Sequence, residues 1–187
     1  MKILFPISLL LIMSQIAFAD VDCQDLQPYQ KRQTAPISAS EVKDMIRSCG
    51  SRCLLEKYFN DWESWQKVLQ KIASGRQEWL EIAVVLKKHS DAGMSETLIH
   101  AVGEALENEP ELVLTITAEE YPLKNICSGP DIDDERYSTY DAALTAIRKR
   151  IDALTAIDNK TLEMKRANCI EQLKTAVTHM KRFFDID

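Results

Sequence analysis

The fold of this chain is decided by residues 62–116, WESWQKVLQKIASGRQEWLEIAVVLKKHSDAGMSETLIHAVGEALENEPELVLTI. Their apolar side chains recur at steps of three and four residues, the spacing that places side chains on one face of an α-helix. Three such stripes follow one another, and they end at Gly75, at the turn in residues 91–93 and ahead of Pro110. The stretch therefore predicts consecutive amphipathic helices that pack on one another.

Signals at helix ends extend this interpretation to both sides. Ser38 and Glu41 have the spacing of a capping box, and Gly50 suits the left-handed position at which that first helix ends. Ser74 is expected to cap the helix that starts at residue 76, and Ser95 is expected to start the next one. These signals predict a helical core over residues 38–118.

The C-terminal part predicts an antiparallel helical hairpin over residues 135–184. Tyr137, Tyr140, Leu144, Ile147, Ile151 and Leu154 form one stripe, and Leu162, Cys169, Leu173, Ala176, Met180 and Phe183 form a second. The break between them, at residues 158–159, is too short for any other arrangement of two neighbouring helices. The predicted fold class is an all-α, compact multi-helix domain that is stapled by disulfide bonds.

The N-terminus has the features of a signal peptide. Lys2 precedes an apolar run, and the small-x-small triplet at residues 17–19 marks a cleavage site. We therefore expect a chain exported to the periplasm, with secretion left open, and no stable membrane insertion. The expected parts are a signal peptide (1–19) and one helical domain (20–187), which comprises an N-terminal arm (20–37), the core (38–118), a loop (119–134) and the hairpin (135–184).

Five cysteines follow the signal peptide, and in an oxidising compartment they predict a disulfide framework with one thiol left over. Cys169 lies on the apolar face of the last helix and Cys127 in the loop ahead of the hairpin, so we expect these two to pair. One further pair is expected among Cys23, Cys49 and Cys53. A redox or zinc role for Cys49 and Cys53 is less favoured, because they are not a Cys-x-x-Cys pair and no second pair accompanies them.

Acidic residues are concentrated in the middle of the chain. Residues 91–141 carry 13 acidic and 2 basic side chains, a net charge of −11, whereas residues 142–182 carry 4 acidic and 9 basic ones. The overall negative charge disfavours nucleic acid as a partner. The simpler interpretation is a solvated acidic part, or one that faces the basic helices; the alternative is an exposed face that meets a cationic protein. The candidate partner-binding residues are Glu107, Glu109, Glu111, Glu119, Glu120, Asp131, Asp133 and Asp134.

Motifs for catalysis or for a cofactor are scarce. The histidines, His89, His100 and His179, have no metal-ligand spacing, and neither a nucleophile elbow nor a glycine-rich phosphate loop occurs. We expect His100 to be a hydrogen-bonded structural residue. The acidic string at residues 131–135 lacks the glycine and the distant glutamate of a calcium loop, so a helix start explains it better. No catalytic residue, metal or cofactor is predicted.

A longer pattern of core and turn residues runs through the middle third of the chain. It consists of Trp65, Ile72–Gly75, Trp79–Leu80, Ala83, Leu86, Asp91–Gly93, Ser95–Glu96, Leu98, Ala101, Ala105–Leu106, Pro110 and Val113–Leu114. In this pattern the chain resembles a group of uncharacterised, exported α-helical proteins of proteobacteria, and the later Cys127 and Cys169 fit that likeness. The resemblance supports the helical fold and implies no activity.

These observations favour a non-enzymatic periplasmic protein that binds another protein. A specific form of this hypothesis is an immunity or inhibitor protein whose acidic 91–141 face covers a basic effector. The alternative class is an envelope enzyme, such as a glycan hydrolase, in which two carboxylates of the acidic block would converge in a pocket. A third possibility, a small-ligand carrier, requires Trp62, Trp65 and Trp79 to line a cavity; their spacing favours a filled core. The oligomeric state is left open.

Overall fold

The chain is described by a computed structural model over residues 38–57, 62–116 and 120–186. These ranges contain eight α-helices, two short 3-10 helices and no strand, which confirms the predicted all-α fold class. The predicted signal peptide, the N-terminal arm, Cys23 and Glu119 lie outside the described residues. The α-helices are α1 (Ala39–Lys57), α2 (Trp62–Ala73), α3 (Gln77–Lys87), α4 (Ala92–Ala105), α5 (Pro110–Ile116), α6 (Leu123–Ile126), α7 (Tyr140–Thr155) and α8 (Glu163–Phe183).

The first helix is interrupted where the sequence predicts a break. Ser38 and Glu41 form the expected capping box: the Glu41 amide donates to Ser38 Oγ at 3.2 Å, and the Ser38 amide donates to Glu41 Oε2 at 3.0 Å. Gly50 has φ 79° and ψ 156°, a conformation that residues with a Cβ rarely adopt. α1 therefore consists of two halves that meet at a kink, and glycine makes that kink possible.

Two predicted helix starts are wrong. α4 begins ahead of Ser95, because the side chain of Asp91 caps it by accepting a hydrogen bond from the Met94 amide at 2.8 Å. Ser74 does not cap α3; its hydroxyl donates back to the carbonyl of Lys71 at 2.6 Å, and α3 starts without a side-chain cap. The hydroxyls of both serines form other short-range hydrogen bonds, that of Ser95 with the Ser90 hydroxyl at 2.6 Å and that of Ser74 with Lys71.

α2 and α4 lie side by side and run in the same direction. At one end of the pair the Trp65 indole N–H donates to Thr97 Oγ1 at 2.9 Å, and at the other end Asn108 Nδ2 donates to the Ala73 carbonyl at 3.2 Å. The residue numbers on both helices increase from the first of these contacts to the second, so the helices are parallel. α3 makes the return connection and packs against α1, α2, α4 and α5, which gives it the central position that its apolar sequence predicts.

α7 and α8 form the predicted antiparallel hairpin. Tyr140, at the start of α7, makes an edge-to-face contact with Phe184, just after α8, and the ring centroids are 6.2 Å apart. The predicted disulfide between Cys127 and Cys169 is present, with the two Cα atoms 5.3 Å apart. Both cysteines are fully buried, so the bond fastens the N-terminal third of α8 to the segment that follows α6.

The cysteines of α1 differ in state. Cys53 is disulfide-bonded, whereas Cys49 carries a free thiol, so these two are not joined to each other. Partial burial raises the pKa of the Cys49 thiol above its usual value. A raised pKa keeps the thiol protonated and weakly nucleophilic at neutral pH.

One of the three tryptophans departs from the predicted core. Trp65 and Trp79 are each 2% exposed, but Trp62 is 59% exposed. Three residues of an α-helix correspond to 300° of rotation, so Trp62 is turned by about 60° from Trp65 toward the edge of the apolar stripe. The same offset separates Phe183, which is 60% exposed, from the buried Met180.

Candidate functional site: an acidic groove

An open groove of about 840 Å³ lies over the seam between the parallel helices α2 and α4. Its floor comes from one face of each helix, and the segment 131–136 forms a wall. The lining residues are Trp62, Gln66, Leu69, Gln70, Ala73 and Ser74 from α2 and its end, Thr97, His100, Ala101, Glu104 and Asn108 from α4 and the turn after it, and Asp131, Asp133, Asp134, Glu135 and Arg136 from the wall. We call this region the acidic groove.

The shape of the groove follows from helix geometry. The lining positions on α2 and α4 are separated by steps of one, three or four residues, and each set therefore occupies a single helical face. The face of α2 runs from Trp62 to Ser74, which corresponds to a floor about 18 Å long at a rise of 1.5 Å per residue. Ala73 and Ala101 leave room above the seam because their side chains are small.

Arg136 fastens the wall to the floor. Its guanidinium donates to both carboxylate oxygens of Glu104 on α4, at 2.8 and 3.0 Å. It also donates to Asp134, with the shortest contact at 2.6 Å, and lies over the ring of Tyr137 at 5.0 Å from the centroid. The hydrogen bond from Arg136 is the largest of the effects that hold the pKa of the Asp134 carboxyl below its usual range. Asp134 and Glu104 together raise the pKa of Arg136.

The acidic string at residues 131–135 folds as a pair of turns. Asp131 accepts a hydrogen bond from the Asp133 amide at 3.0 Å, and Asp134 caps the 3-10 helix at residues 135–137 by accepting from the Arg136 amide at 2.9 Å. The helix start predicted for this string is therefore present only as a short 3-10 turn, which Asp134 caps. The first long helix of the hairpin starts later, where Thr139 caps α7.

Negative charge is in excess in the groove, because its lining contains five carboxylates and one guanidinium. Arg136 is shared by Glu104 and Asp134. The side chains of Asp133 and Glu135 are exposed and have no cationic partner within the described ranges. The groove therefore presents uncompensated negative charge at one end and an exposed indole ring, that of Trp62, at the other.

His100 is placed differently from the prediction. It is partly exposed and lines the groove, and within the described part of the chain its imidazole has no hydrogen-bond partner. The prediction that His100 is a hydrogen-bonded structural residue is therefore wrong. His100 on the floor and Asp134 on the wall both line the groove.

The glutamates predicted to bind a partner are not brought together. Glu109 and Glu111 are exposed, and Glu111 accepts a hydrogen bond from Asn159 Nδ2 at 2.6 Å. Glu120 forms an ion pair with Lys88 at 3.2 Å. None of these residues lines the groove. Of the predicted residues that the structure describes, only Asp131, Asp133 and Asp134 lie together in one place.

Glu107 has a structural partner that its sequence context does not indicate. Arg150 on α7 is fully buried, and its Nε lies 3.5 Å from Glu107 Oε1, too long and poorly aligned for a hydrogen bond. All three nitrogens of this guanidinium lack a hydrogen-bond partner within the described residues. Glu107 therefore supplies the negative charge nearest to Arg150, and Lys149 Nζ lies 4.0 Å from its other oxygen. This is the contact in which the acidic middle and the basic C-terminal part do face one another.

Glu104, Glu135, Arg136 and His100 line the groove without having been predicted there, and Trp62 lies in the groove although its spacing predicts a core position. A signal for the floor was present: residues 97, 100, 101 and 104 of α4, with 108 just after it, form a second, mostly polar stripe next to the apolar one. No such signal exists for the ion pair between Arg136 and Glu104, because these residues are separated by 32 positions and belong to different elements.

Within the described ranges, no group of three or more His, Cys, Asp or Glu side chains is arranged to hold a metal ion, and no helix is long and apolar enough to cross a membrane. No protein-family model, curated protein or solved structure matches the chain.

Proposed function

We propose that this protein is a non-enzymatic, periplasmic binding protein whose acidic groove takes a basic surface of a partner protein. The observation that carries the proposal is the combination, in one groove, of an exposed tryptophan and carboxylates without a cationic partner. Export through the predicted signal peptide and the likeness to exported α-helical proteins of proteobacteria are part of the same proposal.

The composition of the groove supports a protein as the ligand. Pockets for small molecules enclose the ligand and contain only a few polar groups, whereas this groove is open and six of its sixteen lining residues are charged. Tryptophan is enriched among the residues that dominate protein–protein binding energy, and an exposed one is a natural anchor. Uncompensated carboxylates such as Asp133 and Glu135 would steer a basic partner toward that anchor and select against acidic ones.

The same features favour binding over acid–base catalysis. A glycan hydrolase requires one carboxyl group whose pKa is raised, so that it can donate a proton at neutral pH. In the groove the pKa of Asp134 is instead lowered, chiefly by its hydrogen bond with Arg136. Glu120 also has a lowered pKa, because of a backbone hydrogen bond and its contact with Lys88.

A carrier for a small apolar ligand is also less favoured. Trp65 and Trp79, which would have to line its cavity, are buried in the packed core. Only Trp62 faces the groove, and that groove is open and charged. A single exposed ring in a groove that also carries acidic residues suits a protein surface better than it suits an enclosed apolar ligand.

The specific form that we favour is an immunity or inhibitor protein that covers a cationic effector. Its test is the survival of a strain that lacks the gene, in competition with neighbours that deliver envelope-targeting effectors. We expect the deletion strain to be killed by one such neighbour and to be rescued by the wild-type gene. Equal survival against every neighbour would remove the immunity role and leave a binding role of another kind.

The binding role is tested by affinity capture from envelope extract with the mature chain as bait, repeated at high salt. We expect a stoichiometric, basic partner at low salt and its loss at high salt, because an interaction of exposed charges is screened. Recovery of no partner at low salt, or of one that is retained equally at high salt, would contradict an acidic binding surface.

A further inference from the structure

The acidic groove has the dimensions of one helical binding partner. Its floor is the seam between two parallel helices and is about 18 Å long, which equals a little over three turns of α-helix at 5.4 Å per turn. A third helix can lie along such a seam with its side chains between those of α2 and α4, as in ordinary helix packing. An extended segment of the same length would contain about five residues at 3.3 Å each.

The contacts on offer favour a helix over an extended segment. A bound strand needs an unpaired strand edge to satisfy its backbone hydrogen bonds, and the described residues contain no strand. The groove presents side chains, because both faces of its floor belong to helices whose backbone groups are already paired internally. A helix brings its own backbone hydrogen bonds and needs only side-chain complementarity.

The distance between Trp62 and the acidic wall defines the spacing of apolar and basic residues that such a helix would need. Trp62 precedes Trp65 by three residues, and Trp65 is level with Thr97 through their hydrogen bond. Glu104, to which the acidic wall is fastened, follows Thr97 by seven residues. The acidic end therefore lies about 15 Å from Trp62 along the axis at 1.5 Å per residue, or two to three helical turns.

We propose that the occupant of the groove is a basic amphipathic helix of about three turns, presented by the partner protein. An apolar side chain of this helix packs on Trp62. Lysine or arginine side chains two to three turns away, at about positions i+7 and i+10 on the same face, meet Asp133 and Glu135. This inference rests on the proposed binding function and adds the secondary structure and the residue spacing of the partner segment.

The test uses synthetic peptides with the purified mature chain, and binding is followed by tryptophan fluorescence. The matching peptide is an alanine-based helix of about 16 residues, long enough to form in isolation, with one leucine and two arginines at the stated spacing. It is made in both sequence orders, because a helix can lie in the groove in either direction. A second peptide has the same composition with the arginines on the opposite face, and a third carries a central proline that breaks the helix.

We expect the matching peptide, in one of its orders, to bind at least about tenfold more tightly than either comparison peptide. The fluorescence change should disappear in Trp62→Phe, which alters an exposed side chain and leaves the buried tryptophans in place. Equal binding of all three peptides would refute the helical occupant. If that binding also weakened in Asp133→Asn/Glu135→Gln, the proposed acidic binding surface would stand. Binding that is unaffected by both variants would place the peptide elsewhere and overturn the inference.

Discussion

Loss of the charge on Glu107 should destabilise this protein far more than an ordinary surface substitution does. Arg150 is completely buried, and its three guanidinium nitrogens have no hydrogen-bond partner within the described residues. The nearest compensation is Glu107, whose carboxylate oxygen lies 3.5 Å from Arg150 Nε. Glu107→Gln keeps the shape of the side chain and removes that compensation.

The size of the effect follows from the distance. Two unit charges 3.5 Å apart attract each other by about 5 kcal/mol at an effective dielectric constant near 20. Removing one partner of a buried ion pair costs about 3–5 kcal/mol in other proteins, because the remaining charge stays buried without compensation. We therefore expect Glu107→Gln to lower the free energy of unfolding by about 3–5 kcal/mol.

Urea unfolding, followed by circular dichroism, measures this change as a lower midpoint with an unchanged slope. Lys149→Gln is the matched control, because its ammonium lies 4.0 Å from the same carboxylate but is largely exposed. Its expected cost is below about 1 kcal/mol. Arg150→Met should cost less than Glu107→Gln, because an apolar side chain of similar length needs no counter-charge and Glu107 can be hydrated. A loss below about 1 kcal/mol in Glu107→Gln, or a larger one in Arg150→Met, would refute the reasoning.

Three further predictions concern other parts of the fold. Cys127→Ala/Cys169→Ala should lower the free energy of unfolding by about 4 kcal/mol on the loop-entropy model, since the bond closes a sequence separation of 42; urea unfolding measures this, and a loss under about 1 kcal/mol would contradict it. Arg136→Gln should return the pKa of Asp134 upward toward its usual range, as read by carboxyl NMR titration; an unchanged pKa would show that another group holds it low. In the wild-type protein the stabilisation from Asp134 is present above its unfolded-state pKa and is lost as the pH falls through the lower folded-state value. Gly103→Ala should cost about 1–3 kcal/mol in thermal or urea unfolding, because its Cβ would lie 2.7 Å from the last carbonyl oxygen of α6; wild-type stability would mean that α6 moves freely.

The parts of the fold that the sequence predicts correctly depend on local signals. The helical stripes, the kink at Gly50 and the capping box at Ser38 each depend on residues a few positions apart, where spacing determines geometry. The Cys127–Cys169 bond is predicted because one cysteine lies on an apolar helix face and the other in the loop ahead of the same hairpin. The helices, their local end signals and one disulfide bond can therefore be predicted from the sequence alone.

The acidic groove cannot be predicted from the sequence in the same way. The periodicity places Trp62 in the core, and the charge count cannot distinguish Glu107, which neutralises a buried arginine, from Asp133, which faces solvent. The difference depends on which helices lie side by side and on the contact between Arg136 and Glu104, 32 residues apart. Such pairings are decided by tertiary packing, which a pattern of single residues does not contain.

The central claim is that the groove's unpaired carboxylates bind a basic protein, and one comparison of dissociation constants tests it most directly. The captured partner is titrated with the wild-type chain, with Asp133→Asn/Glu135→Gln, and with Asp152→Asn/Glu171→Gln. The last variant makes the same change in net charge at exposed helix positions outside the groove. The account predicts that the groove variant binds about tenfold more weakly at low salt while the control stays within about twofold of the wild type. An equal loss of affinity in both variants would show that net charge alone, and not the groove, determines binding. No loss of affinity in either variant would place the binding surface elsewhere.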